Sequence, residues 1–144
     1  MSVKFWDSSA IVPLLVEERR SRACRAVLRA DRMMVVWCLT PVEGSSALRR
    51  LAREGVLTEA TVTAAESRLD RLSAAWTEID ALGAVREQAR RLLRLHPLTG
   101  ADALQLGAAL VAFDMRPKNR GFVCLDARLS GAARAEGFTV VEPS

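Results

Sequence analysis

The chain has 144 residues and a mass of 15.7 kDa, room for about one domain of ordinary size; with 50% hydrophobic and 26% charged residues it can bury a core, which excludes wholesale disorder. The net charge of +4 rests almost wholly on Arg, with Lys only at positions 4 and 118, and arginine forks admit nucleic acid or an acidic protein as a partner without specifying either. The longest apolar runs, 11–16 and 106–113, fall far short of the roughly 18 residues of a membrane-spanning helix, and the N-terminus lacks the apolar stretch and cleavage site of a secretory signal, so the expectation is a cytoplasmic protein without membrane segments.

Taken in chain order, residues 3–6 form a short β-prone run ending at an Asp, followed by helical periodicity over 9–16 and 19–30. A second strand is expected at 33–37, then helices at 41–54 and 59–75. Residues 76–82, β-branched at Thr77 and Ile79, make a weaker strand before helices at 84–95 and 101–115. A strand at 122–125, a helix at 129–136 and a strand at 139–141 close the chain. No hairpin signal joins neighbouring strands, so the crossovers are parallel. The expected fold is α/β: a three-layer sandwich with a mostly parallel sheet of four or five short strands flanked by helices, in a single domain over 1–144. In such sheets ligands bind outside the carboxyl ends of the strands.

The cysteines Cys24, Cys38 and Cys124 are odd in number and widely spaced, which argues against a disulfide framework or a zinc site and for free thiols. There is no Tyr and one His; His96, next to Pro97 at a helix exit, reads as a capping or surface imidazole rather than a catalyst.

The acids are more informative. Asp7 follows the first strand and Asp126 the 122–125 strand, while Glu43 and Asp102 each lie three residues after a Thr at an expected helix start, in Thr40-Pro41-Val42-Glu43 and Thr99-Gly100-Ala101-Asp102. Taken singly, each has a bland explanation: Thr40 with Glu43 reads as a capping box, Thr99 with Asp102 as a looser one, and Asp after a strand as a turn or N-cap former. A parallel sheet nevertheless brings helix starts and strand ends to one edge, so all four acids converge from distant parts of the chain. Two carboxylates ~4 Å apart repel by about 4 kcal/mol at an effective dielectric near 20, so such a cluster requires a cation. An all-oxygen set suits Mg2+ or Mn2+, whose chemistry with an activated water is phosphodiester hydrolysis.

The segments W-D-S-S-A at 6–10, T-P-V-E at 40–43, L-T-G-A-D-A-L-Q-L at 98–106 and F-V-C-L-D at 122–126, with the closing G-F-T-V-V at 137–141, resemble the PIN-domain nucleases, and among them the VapC-type toxins of bacterial toxin-antitoxin pairs. The resemblance spans essentially the whole chain. It implies a PIN-like fold and a ribonuclease dependent on Mg2+ or Mn2+, with Asp7, Glu43, Asp102 and Asp126 as the acidic quartet, Asp7 and Asp102 foremost as ligands. It implies that Ser8 or Ser9 positions the metal or its water. It also implies in-line attack by water leaving a 5′-phosphate, a cognate small antitoxin as partner, and a homodimer. Gln105 departs from the pattern, because many relatives carry His there.

Arg22, Arg25, Arg29 and Arg32 recur at helical spacing and form either a solvated face or a stripe for RNA or an acidic partner; Arg128, two residues past Asp126, is the expected substrate phosphate contact. Val62, Leu69, Leu72 and Trp76 read as ordinary core, or in part as a partner surface. Competing functions are a non-catalytic RNA- or protein-binding PIN-like module, a phosphoacceptor receiver domain, for which the expected acidic pair after the first strand is missing, and an aspartyl phosphatase, for which Asp7-Ser8-Ser9 lacks D-x-D.

Overall fold

In a computed structural model describing residues 3–144, the element order is β1 (Lys4–Trp6), α1 (Ser8–Leu15), α2 (Ser21–Ala30), β2 (Met34–Trp37), α3 (Thr40–Arg53), α4 (Glu59–Ala75), β3 (Thr77–Ile79), α5 (Leu82–Leu95), α6 (Gly100–Ala112), β4 (Gly121–Val123), α7 (Ala127–Glu136) and β5 (Thr139–Val141). The strands form one five-stranded sheet in the order β3-β2-β1-β4-β5, every pair parallel. The parallel α/β sandwich expected from the alternation is therefore present.

Side chains alternate across a strand, and here the alternation divides two cores. Phe5, Trp37 and Phe122 point to one face and pack with Val85, Leu92, Leu106, Leu110 and Leu129 of α5, α6 and α7. Their neighbours Trp6, Val36 and Val123 point to the other and pack with Ile11, Leu15, Leu48, Val62 and Leu69 of α1, α3 and α4. Because both faces are covered, the strands read as continuous apolar runs. Phe5 and Phe122, partners in the β1–β4 register, stack with centroids 5.6 Å apart. Val62, Leu69 and Trp76 are buried core, and the Trp76 indole N–H donates to Glu78 at 2.9 Å.

Helices α5 and α6 approach closely because α6 carries Gly107 where they cross. A Cβ there would lie 3.1 Å from the Val85 carbonyl oxygen and 3.2 Å from the Ala89 nitrogen. Gly137, with φ of 111°, ends α7 in the left-handed conformation, and the amides of Gly137 and Phe138 bond back to Arg134 and Ala133.

Several boundaries differ from expectation. Met33 is exposed and precedes β2. Leu82 begins α5 rather than ending β3. The β4 ladder ends at Val123, and the Leu125 amide leaves it to bond Ser9 Oγ at 2.9 Å. Helix α6 stops at Ala112 because Asp114 and Met115 take positive φ. The arginine stripe is shorter than its spacing suggests: Asp31 caps α2, so Arg32 falls beyond the helix, and Arg25 is paired with Glu17 at 3.0 Å. All three cysteines are free, with Cys24 and Cys124 buried and Cys38 half-buried.

Candidate active site

Asp7, Glu43, Asp102 and Asp126 line one cleft of about 670 Å3 at the carboxyl edge of the sheet, together with Ser8, Ser9, Val12, Glu18, Arg50 and Leu125. Each acid arrives on a different element. Asp7 leaves β1 and caps α1, Glu43 sits in the first turn of α3, Asp102 in the first turn of α6, and Asp126 follows β4 and caps α7. Strands β1 and β4 are adjacent, which sets Asp7 near Asp126, and the Asp7 amide bonds the Val123 carbonyl at 3.0 Å.

Capping and cleft-lining prove compatible, because a carboxylate has two oxygens. Asp7 Oδ2 accepts from the Ser9 amide at 3.1 Å, from Ser9 Oγ at 2.6 Å and from the Cys124 thiol at 3.6 Å. Its Oδ1 makes no hydrogen bond among the described residues. Asp126 caps through Oδ1 alone, accepting from the Leu129 amide at 3.0 Å. Ser9 Oγ thereby ties the first acid to the end of β4 through Leu125, while Ser8 lies beside Glu43 and acts to lower its pKa.

The expected capping box at Thr40 does not form. Leu39 is the cap residue, without a side-chain bond, and Thr40 is the buried first residue of α3. Its hydroxyl faces inward and accepts from Gln105 Nε2 at 3.1 Å, and the same amide nitrogen donates to Glu43 Oε1. Glu43 is thus free of the capping role that explained it, and held instead by Gln105 from α6. The second box holds in part: Thr99 caps α6 by accepting from the Asp102 amide at 3.2 Å.

Gathering acids in a partly desolvated cleft raises their proton affinity. Burial pushes the Asp7 carboxyl up to about 6, against the lowering hydrogen bonds from Ser9, and the charges of Glu43 and Asp102 raise it further. Glu43 is raised, chiefly by burial, with the Asp102 charge adding to it. Asp102 is also raised by burial, then by Asp126, with Thr99 and the Arg128 guanidinium acting the other way. A bound cation relieves such a set. The donors are oxygens, which suit Mg2+ or Mn2+. Among the described residues no three Asp, Glu, His or Cys side chains stand close enough to enclose an ion, so a cation held here would keep water in part of its shell, as Mg2+ usually does.

No family model matches the chain. It is 32% identical over 142 residues to ribonuclease VapC45 of Mycobacterium tuberculosis (strain CDC 1551 / Oshkosh), and equally to ribonuclease VapC49 of Mycobacterium tuberculosis (strain ATCC 25618 / H37Rv), with 97% of this chain and 95% of each relative covered. The chain belongs to the VapC family. The motif resemblance and the parallel α/β fold thus agree with whole-length similarity.

Within this VapC chain, the residues singled out from sequence fall into two groups. The four acids, Ser8 and Ser9 meet at the cleft. Arg128 is exposed on the first turn of α7, within electrostatic reach of Asp102 but not on the cleft wall. His96 lies elsewhere, its Nε2 2.7 Å from Glu136 Oε2, with Arg91 bonding the other Glu136 oxygen at 2.7 Å. Two charged cleft residues escaped the sequence reading, Arg50 and Glu18. Arg50 lies seven positions after Glu43 on α3, a helical spacing that returns to the same face and was the available signal. Glu18, in the turn between α1 and α2, left no comparable pattern.

Proposed function

We propose that this VapC protein is an endoribonuclease dependent on Mg2+ or Mn2+, and the toxin of a toxin-antitoxin pair. The observation that carries the reading is the convergence of Asp7, Glu43, Asp102 and Asp126 from four separate segments on one cleft, with the proton affinities of Asp7, Glu43 and Asp102 raised by burial and by neighbouring carboxylates. The ribonuclease names of the two relatives supply the substrate class.

Asp7 and Asp102 are the principal candidate ligands, with Glu43 and Asp126 holding the ion directly or through water. When bound, Mg2+ or Mn2+ supplies positive charge to phosphoryl oxygens and lowers the pKa of water, which favours in-line hydrolysis leaving a 5′-phosphate and a 3′-hydroxyl. The protein's own work is positioning. Ser9 fixes one oxygen of Asp7 and leaves the other to the cleft, Gln105 fixes Glu43, and the α7 cap fixes Asp126. Arg128 is the proposed contact to a substrate phosphate on the Asp102 side.

The reading also includes a small antitoxin as partner, a homodimer, and a cytoplasmic site of action where RNA is met. Exposed Leu39, Val42 and Leu82, at the starts of α3 and α5, offer apolar surface for association. The test is incubation of partner-free protein with total cellular RNA and Mn2+, followed by sequencing of new 5′-ends, beside an Asp102→Asn variant and a chelated control. Discrete 5′-phosphate ends absent from both controls are expected. Intact RNA with protein that binds Mn2+ through Asp102 would overturn the ribonuclease reading in favour of a binding module. Cyclic 2′,3′-phosphate ends would exclude water as the nucleophile.

A further inference from the structure

The cleft is lined by five carboxylates, those of Asp7, Glu18, Glu43, Asp102 and Asp126, and by a single cationic side chain, Arg50. A polyanion entering it meets strong repulsion. At the quartet a divalent cation offsets that repulsion; farther along the cleft the chain itself must supply positive charge. Arg50 stands two helical turns beyond Glu43 on α3, about 10.5 Å along the axis at 1.5 Å per residue. Small side chains, Ser46 and Ala47, line the wall between them.

Its guanidinium is uncommitted. Among the described residues it enters no ion pair, whereas its neighbour Arg49 is paired with Glu59 at 2.9 Å. Glu18, the cleft acid outside the quartet, accepts from the Arg20 amide through Oε1 and forms no ion pair with Arg50 among the described residues. A planar fork of donors on the wall of an open groove matches a phosphate, which it can hold through two parallel bonds.

We propose that Arg50 binds an RNA phosphate flanking the scissile one, setting the path of the strand along α3. Its backbone stands two turns along α3 from Glu43, on the same wall of the cleft, which suits a phosphate next along the strand from the one at the quartet. The inference rests on the ribonuclease reading and adds a substrate contact to it.

The test is binding of a fluorescent 12-nucleotide single-stranded RNA of mixed sequence, measured by anisotropy at several salt concentrations with chelator present throughout. Asp102→Asn, which removes one of the repelling carboxylates along with cleavage, serves as the parent. Adding Arg50→Gln to it is expected to weaken binding about 3- to 10-fold and to reduce the slope of log affinity against log salt by about 0.7, the value for one single-strand phosphate. Arg53→Gln, on the same helix and outside the cleft lining, should change neither cleft contact. In otherwise wild-type protein Arg50→Gln should raise KM and leave kcat within about 2-fold, since the contact is made before and during reaction alike. Unchanged affinity and slope in the Arg50→Gln protein, an equal effect of Arg53→Gln, or failure of the parent to bind the oligonucleotide overturns the proposal. The ribonuclease reading falls on a different result, intact total RNA after incubation with wild-type protein and Mn2+.

Discussion

Replacing Asp7 by Asn should stabilise the metal-free protein while destroying its activity. Asp7 is 3% exposed and burial, with Glu43 and Asp102 nearby, pushes its carboxyl from 3.8 up to about 6. The folded state therefore holds this proton more tightly than the unfolded chain. Stability falls as pH rises from about 4 to about 6, and above that the full penalty remains. The gap between 3.8 and about 6 corresponds to about 3 kcal/mol at 1.36 kcal/mol per pH unit. Asn retains an oxygen to accept from the Ser9 amide and hydroxyl, but the hydroxyl bond loses its ionic partner, returning about 1 kcal/mol. A net gain of about 2 kcal/mol is expected at pH 8, which moves a urea midpoint by about 1 M at a slope of about 2 kcal/mol per M. Near pH 3.5, where Asp7 is protonated in the folded state and mostly so in the unfolded chain, the gain should fall close to zero. Mn2+ reverses the ranking, because a ligand bound only by the native state adds about 2.7 kcal/mol at 100 times its Kd, and the variant forgoes that gain. Urea titrations at pH 3.5, 6 and 8, with chelator or with Mn2+, read all three effects. A chelated Asp7→Asn protein no more stable than wild type at pH 8 would refute the reasoning.

Gln105→Leu removes the bond that holds Glu43 and leaves the buried Thr40 hydroxyl without its donor, so RNA cleavage should fall about 10-fold, with about 1 kcal/mol lost in urea unfolding; full activity would deny Gln105 its positioning role. Gly107→Val should cost about 1 to 3 kcal/mol, read as a lowered unfolding midpoint, because its Cβ would press on the α5 backbone. Glu136 is pushed up by burial but held below its ordinary value overall by Arg91 and His96, so its contribution is present above about pH 4.5 and fades as pH falls through its lowered folded-state pKa. Glu136→Ala should cost about 2 kcal/mol at pH 7 without altering RNA cleavage per folded molecule. Arg128→Gln should raise KM for RNA several-fold, checked by initial rates.

What the sequence made legible was governed by local rules. Short apolar runs alternating with helical segments, with no hairpin turns between them, pointed to the parallel sheet, and acids at strand ends and helix starts fell on one edge because parallel crossovers allow little else. Thr40 shows where local rules fail. Its spacing to Glu43 matched a capping box, yet packing against α6 buried it and recruited its hydroxyl as a partner for Gln105, a contact across 65 positions that periodicity cannot see. Arg32 was assigned to a helix that Asp31 ends one residue earlier. Conversely, Asp7 and Asp126 met both rival expectations together, since capping consumes only one oxygen of each.

The central claim is that these four carboxylates form one cation site. It is tested most directly by a crystal soaked in Mn2+ and measured at wavelengths on either side of the manganese absorption edge. The account predicts an anomalous peak in the cleft with oxygens of Asp7 and Asp102 at direct ligand distance, absent from crystals of Asp102→Asn. A manganese-free cleft at millimolar Mn2+, or a peak held only by residues outside the quartet, would contradict it.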